Sequence, residues 1–149
     1  MKVYCFSPFG YEGSLVSIEV DLRRGIPATD IIGLADSAVR ESRERMKSAI
    51  INSGLEFPCE RVLISLSPAD IKKEGAGFDL PVAAAILAAA GVLQMELLDG
   101  VMMAGEISLN GEIHGITGIL PMVIRAREEG CRFCMVPYGN YQEGKLIQG

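Results

Sequence analysis

Two stretches of this chain set chemistry-bearing residues between glycines. The first, Ser65 to Pro81, carries Ser65, Ser67, Asp70, Lys72, Lys73, Glu74 and Asp79 around Gly75 and Gly77. The second, Gly105 to Pro121, carries Glu106, Asn110, Glu112 and His114 among Gly105, Gly111, Gly115 and Gly118. Lys72 and Lys73 stand before a helix start, where cationic side chains and free amide N–H groups together suit an anion or a partner's carboxylate. A solvated loop, with the lysines paired to Glu74 and nearby aspartates, is the simpler alternative. Neither stretch supplies a nucleophile with a base: His114 is the only histidine, and no serine or cysteine is marked out as its neighbour. Asp70 and Glu74 form a carboxylate pair that nothing marks as tuned. Gly75-Ala-Gly77 lacks the third glycine of a dinucleotide fingerprint, and Gly111, Gly115 and Gly118 are wrongly spaced for one. Gly139 to Lys145 has the glycine and lysine spacing of a phosphate loop. Leu146 stands where a magnesium-ligating hydroxyl belongs, so the spacing is read as chance.

The elements that must position these residues follow from periodicity. Val3 to Ser7 and Leu15 to Leu22 alternate apolar and polar residues around Gly10 to Gly13, a hairpin pattern. Thr29 to Leu34 is a third short strand. Asp36 opens a helix whose Ala38, Val39, Ser42, Met46, Ala49 and Ile50 share a face, and Gly54 stops it. Arg40–Glu44 and Glu41–Arg45 are i,i+4 pairs. Arg40, Arg43, Arg45 and Lys47 give this helix a mild basic bias. Arg61 to Ser67 is a nearly continuous apolar run, as in a strand covered on both faces. Asp79 is expected to cap a second helix that has Pro81 in its first turn and is apolar all round, hence central. Val101 to Ala104 and Ile107 to Leu109 are strand-like, and Glu112 to Ile116 returns across Asn110-Gly111 as a hairpin partner. A third helix carries Pro121 near its start and Gly130 past its end, and Arg132 to Val136 is the last strand. The order β-β-β-α-β-α-β-β-α-β implies an α+β, two-layer domain spanning 1–149, with a mixed, largely antiparallel sheet and helices mainly on one face.

Composition narrows the function. The 149 residues are 49% hydrophobic and 22% charged, a globular balance that supports a real core. The net charge of −5 opposes sequence-independent binding to nucleic acid, so contact with DNA needs a local patch or another domain. Leu80 to Leu93, the longest apolar stretch, falls short of the roughly 20 residues a bilayer requires. No signal-length apolar run opens the chain, and it is expected in the cytoplasm without a membrane partner. Cys5, Cys59, Cys131 and Cys134 are then thiols. Cys131 and Cys134 have metal-type spacing but no second ligand pair, so they are read as core thiols flanking a strand, and no metal site is expected.

Four blocks carry a family resemblance: Gly33 to Arg45, Ser67 to Gly75, Phe78 to Pro81 and Gly105 to Gly111. Together they resemble the N-terminal domain of magnesium-chelatase-like AAA+ ATPases of the YifB/ComM competence type, and the likeness covers essentially the whole chain. It implies that this is part of a longer protein. An ATPase domain would follow Gly149, with its own phosphate loop, bound ATP and Mg2+, and assembly into a hexamer. It also implies a role in ATP-driven DNA branch migration during natural transformation. More distantly, the chain resembles the proteolytic domain of Lon, whose fold is shared with GHMP kinases. Lon uses a Ser–Lys dyad. By that resemblance the nucleophile's place is Gly77 and the lysine's place is Leu120, so the dyad chemistry is absent. The expectation is a non-catalytic domain that contributes oligomerisation or docking to DNA, to a partner or to its own ATPase ring. Lys72, Lys73, Arg40, Arg43 and Arg45 would serve as docking residues, with Gly75, Gly77 and Asp79 shaping the loop. The alternatives are a GHMP-kinase-like or divergent hydrolase site in the same cleft, and a purely structural oligomerisation module.

Overall fold

A computed structural model describes residues 2–7, 14–33, 36–67, 78–116 and 119–140. Strands β1 (Val3–Ser7) and β2 (Ser14–Arg23) pair antiparallel, with Val3 opposite Ile18 and Ser7 opposite Ser14. Strand β3 (Ala28–Ile32) does not fold back on β2. It pairs in parallel with β4 (Arg61–Ser67), which inserts between them antiparallel to β2. Helix α1 (Asp36–Asn52) makes the β3–β4 crossover. Beyond α2 (Asp79–Ala89) and a one-turn helix α3 (Met95–Leu98), strand β5 (Met102–Met103) joins β1 in parallel. Strands β6 (Glu106–Ile107) and β7 (Ile113–His114) form a separate hairpin. Helix α4 (Ile119–Glu128) then leads to β8 (Cys134–Met135), parallel to β5. The main sheet runs β3-β4-β2-β1-β5-β8. It is mixed, with its longest ladders antiparallel, and the fold is α+β.

One face of the sheet faces the core. Val16 and Ile18 on β2 and Val62, Ile64 and Leu66 on β4 are buried, while the alternating Leu63 and Ser65 are only half-buried. The apolar run in β4 therefore serves a strand fully covered on one side, not on both. Helix α2 lies against β1, β2 and β5. Pro81 to Ile86 and Ala88 are buried, so the helix that is apolar all round is indeed central. On α1, Ser42, Met46, Ala49 and Ile50 turn inward at helical spacing.

The three long helices end alike. Gly54, Gly91 and Gly130 take positive φ, and the following residues donate back to Ile50, Leu87 and Ala126, which closes a Schellman motif each time. Gly105 explains why the stretch from 101 to 109 is two strands and not one. A Cβ there would sit 3.0 Å from Leu80 Cδ2 and 3.1 Å from Ile113 Cγ2. The Gly105 carbonyl accepts the Leu80 N–H at the start of α2. The chain leaves the main sheet to make that bond, and β6 pairs only with β7.

Candidate functional site

The site is the junction of the α2 N-terminus, the Gly105 bend, the β6–β7 hairpin and α1. Among the described residues its one fully buried carboxylate is Asp79, 1% exposed. Asp79 was expected to cap α2. The cap position belongs to Phe78, which makes no side-chain cap bond, and Asp79 is the first helical residue. Its carboxylate instead takes the Arg45 fork: Nε donates to Oδ2 at 2.8 Å and Nη2 to Oδ1 at 2.9 Å. The geometry is bidentate, the arrangement in which a guanidinium binds a carboxylate best. The orphan amide of Leu80 is served by Gly105, so α2 starts without a side-chain cap. Burial pushes the Asp79 carboxyl above its ordinary range. Arg45 and the Ile107 N–H pull it down, and Glu106 adds to the rise. The same partnership, set against partial burial, raises Arg45.

Two other basic residues of α1 are also engaged. Arg43 Nη1 donates to the Thr29 carbonyl at 3.2 Å, which ties α1 to β3. Lys47 Nζ lies 5.9 Å from the Phe57 ring centroid, a cation–π distance. Arg45, set by sequence opposite Glu41, turns to Asp79. The side chain of Arg40 lies outside the described residues, as do Asp70, Lys72, Lys73, Glu74, Gly75 and Gly77. Leu120, in the first turn of α4, is half-buried. The structure thus brings Arg45 and Asp79 together and sends Arg43 elsewhere. His114 lies on the exposed hairpin with Nε2 4.0 Å from Glu112 Oε2. Ser65 and Ser67 lie on the less covered sheet face, away from it.

The hairpin is fastened to α1. Its turn closes with the Gly111 N–H on the Ser108 carbonyl and Gly111 at φ +92°, and Asn110 does not take the positive φ a type I′ turn requires. The Asn110 side chain bonds Ser108 Oγ and accepts the Glu112 N–H. Asn52 Nδ2 donates to the Leu109 carbonyl at 2.7 Å, and a Cβ on Gly111 would meet Ser53 Oγ. Past the hairpin, buried Asn140 accepts the Ile116 N–H and donates to the Ile116 carbonyl, both at 2.9 Å. It pairs with that residue as a strand would. No local pattern announces this clamp, since its partners lie 24 residues apart.

Asn140 also tests the phosphate-loop spacing of Gly139 to Lys145. A phosphate loop directs its amides at the ligand. Here the Asn140 N–H goes to the Pro137 carbonyl in a 3-10 turn and its side chain to Ile116. Asn140 is thus committed elsewhere, and residues 141–145 lie outside the described residues. Burial disfavours the thiolate at three of the four cysteines. Burial pushes Cys5 up to about 12 and Cys134 up to about 11, and Cys131 is raised by burial and Glu129. Cys59 is exposed.

Residues 18–140 match the family described as subunit ChlI of Mg-chelatase. YifB of Escherichia coli is 37% identical over 99% of this chain and 29% of its own length. Competence protein ComM of Haemophilus influenzae is 34% identical over 97% of this chain and 28% of its own. Lon protease 2 of Bacillus subtilis is more distant, at 27% over 87% of this chain and 26% of its own. The chain spans less than a third of the length of these relatives. It belongs to the magnesium-chelatase-like family that includes YifB and ComM.

Proposed function

We propose that this chain is a non-catalytic accessory domain of a ComM-type AAA+ ATPase. The ATPase domain, with its ATP and Mg2+, belongs to the remainder of such a polypeptide, which works in the cytoplasm as a hexamer and drives DNA branch migration. The observation that carries the non-catalytic part is the Arg45–Asp79 pair. The buried acid of the cleft is neutralised by a bidentate fork and a backbone amide, so it is a tie between α1, α2 and β6 and not a free base. Leu120, at the place the Lon resemblance gives to the lysine, supplies no amine. The competence role in the name of ComM agrees with this reading.

With Arg43, Arg45 and Lys47 engaged, DNA docking falls to Lys72, Lys73 and Arg40, of which the two lysines are tested first. Binding of the full-length protein to single-stranded and branched DNA is measured against salt, for wild type and the Lys72/Lys73→Ala double variant. Two lost phosphate contacts lower the log–log salt slope by about 1.4–1.8. An unchanged slope assigns the DNA contacts to the ATPase ring. Peptide hydrolysis by this chain that a substitution at Asp79 abolishes without unfolding it would overturn the non-catalytic assignment.

A further inference from the structure

The β6–β7 turn carries Asn110 followed by Gly111, a pair with no part in the Arg45–Asp79 junction. An asparagine carboxamide is open to attack by the backbone nitrogen of the next residue, and glycine, which has no side chain, hinders that attack least. The structure supplies the electrophile's half of the reaction. Ser108 Oγ donates to Asn110 Oδ1, and the Glu112 N–H donates to the same oxygen at 3.0 Å. Two donors therefore stand where negative charge develops as a nucleophile adds to the carboxamide carbon. The nucleophile's half is withheld. The Gly111 N–H is committed to the Ser108 carbonyl at 2.9 Å. The turn that makes this bond is fastened to α1 by Asn52 Nδ2, which donates to the Leu109 carbonyl at 2.7 Å.

We infer that Asn110 is a deamidation site gated by the fastening of the hairpin to α1, and that its conversion to isoaspartate releases the hairpin. When the turn opens, the Gly111 nitrogen bonds to Asn110 Cγ. The carboxamide nitrogen takes up the proton that Gly111 loses and leaves as ammonia, and a succinimide ring remains. Asn110 is exposed, so water reaches the ring and opens it. Cleavage of the bond from nitrogen to Cγ gives aspartate. Cleavage of the bond from nitrogen to the main-chain carbonyl gives isoaspartate, whose backbone runs through Cβ and Cγ. No electrons are exchanged, and water is the only co-reactant. The fold holds this labile pair in place. Gly111 is at φ +92°, and a Cβ there would run into Ser53 Oγ and lie 3.3 Å from the Ala49 carbonyl oxygen, so the position calls for glycine. The residue before it accepts from both Ser108 and Glu112, which a carboxamide does without setting a second charge beside Glu112. Isoaspartate lengthens the turn by one backbone carbon, about 1.5 Å. That moves Gly111 off the Ser108 carbonyl and Leu109 off Asn52. The chain's other asparagines lack this combination. Asn52 and Asn140 precede Ser53 and Tyr141, which carry side chains, and the Ser53 N–H is held by the Ala49 carbonyl at 3.1 Å.

The folded chain is aged in mildly alkaline buffer and digested, and peptide mapping separates asparagine, aspartate and isoaspartate at each of the three positions. Conversion is expected at Asn110 ahead of Asn52 and Asn140, and at least tenfold faster in urea than in the folded chain, because opening of the turn limits it. Asn52→Ala, which unfastens the hairpin, moves the folded rate towards the rate in urea. Hydrogen exchange on the isoaspartate form is faster than on the fresh chain in the β6–β7 hairpin and the last turn of α1. Asn110→Asp, which adds the charge without the extra carbon, exchanges there as slowly as wild type. Equal conversion of the wild type folded and in urea refutes the gate without recourse to any variant, and so does an Asn52→Ala rate no faster than wild type. Conversion led by Asn52 or Asn140 refutes the site. Unchanged exchange in the isoaspartate form, or the same acceleration in Asn110→Asp, refutes release by the lengthened backbone. These readouts are independent of ATP hydrolysis and DNA binding, so their failure leaves the proposed function untouched.

Discussion

Replacing Arg45 with Met tests what the Arg45–Asp79 pair does. Met keeps the length and apolar stem of the side chain, so the main loss is the fork. The Asp79 side chain is 2% exposed and that of Arg45 30%. The two ends of the pair therefore differ in what they leave behind. Without Arg45, a carboxylate stays buried with the Ile107 amide as its remaining support. Breaking a buried pair this way costs about 3–5 kcal/mol. Partial exposure of the arginine puts this case at the low end, about 3 kcal/mol. In a chain of this size that lowers Tm by roughly 6–12 °C. Asp79→Asn is milder, at about 1–2 kcal/mol, because the freed guanidinium turns to water. The double variant Arg45→Met/Asp79→Leu removes both charges and falls within about 1–2 kcal/mol of wild type.

The pH dependence has a definite sign. The folded-state Asp79 carboxyl is already above its ordinary value, because burial outweighs the pull of Arg45. A raised acid favours the fold below the ordinary carboxylate range and loses that contribution as pH rises through the folded-state value. Removing Arg45 raises Asp79 further. The deficit of Arg45→Met is therefore largest at ~pH 7.5 and shrinks towards ~pH 5, as the buried carboxyl takes up its proton. Urea unfolding followed by circular dichroism at both pH values measures it. A deficit under about 1 kcal/mol, or one that does not vary with pH, would refute the account of Asp79 as a buried carboxylate held by Arg45.

Other residues give sharper local tests. Gly33 has φ +101°, and a Cβ there would lie 2.3 Å from the Leu66 carbonyl oxygen, whereas Gly91 at φ +82° has nothing within 4 Å. Gly33→Ala should cost more than about 2 kcal/mol and Gly91→Ala about 1 kcal/mol in the same unfolding assay, and equal costs would dismiss the close approach of β3 to β4. Asn140→Ala leaves the Ile116 amide and carbonyl without their partner and should lower stability by about 1–3 kcal/mol, with faster exchange confined to the β7–α4 connection. Under an alkylating reagent at neutral pH, exposed Cys59 reacts first, and Cys5, its thiol pushed up to about 12, reacts only as the chain unfolds; early labelling of Cys5 contradicts its burial.

What was legible in the sequence is what local chemistry encodes. The alternation of β1 and β2, the spacing of Met46, Ala49 and Ile50, and the glycines that end α1 and α4 all act within a few residues, and each appears where the pattern puts it. The partner of a strand is a different matter. Residues 28–32 carry no mark that their neighbour is β4 and not β2, because a parallel crossover is decided by where α1 packs. One-turn α3 was missed because Met95 to Leu98 is too short to show a helical period. The strand expected over Arg132 to Val136 shortens to two residues, since only Cys134 and Met135 lie opposite β5.

The cleft shows the same division at the level of single side chains. An aspartate just ahead of an apolar, proline-bearing run is an ordinary cap signal, and α2 does begin there. One residue of offset puts Asp79 inside the helix, where its side chain is buried, while Gly105 serves the amide that a cap would have served. A buried carboxylate then needs a cation, and the cation comes from Arg45, 34 residues earlier, on the helix whose basic bias pointed outward in the sequence. The burial that makes Asp79 resemble a tuned acid is thus what demands Arg45, and with Arg45 in place the carboxylate joins three elements at the centre of the cleft. Whatever docks on this domain meets a junction braced from inside.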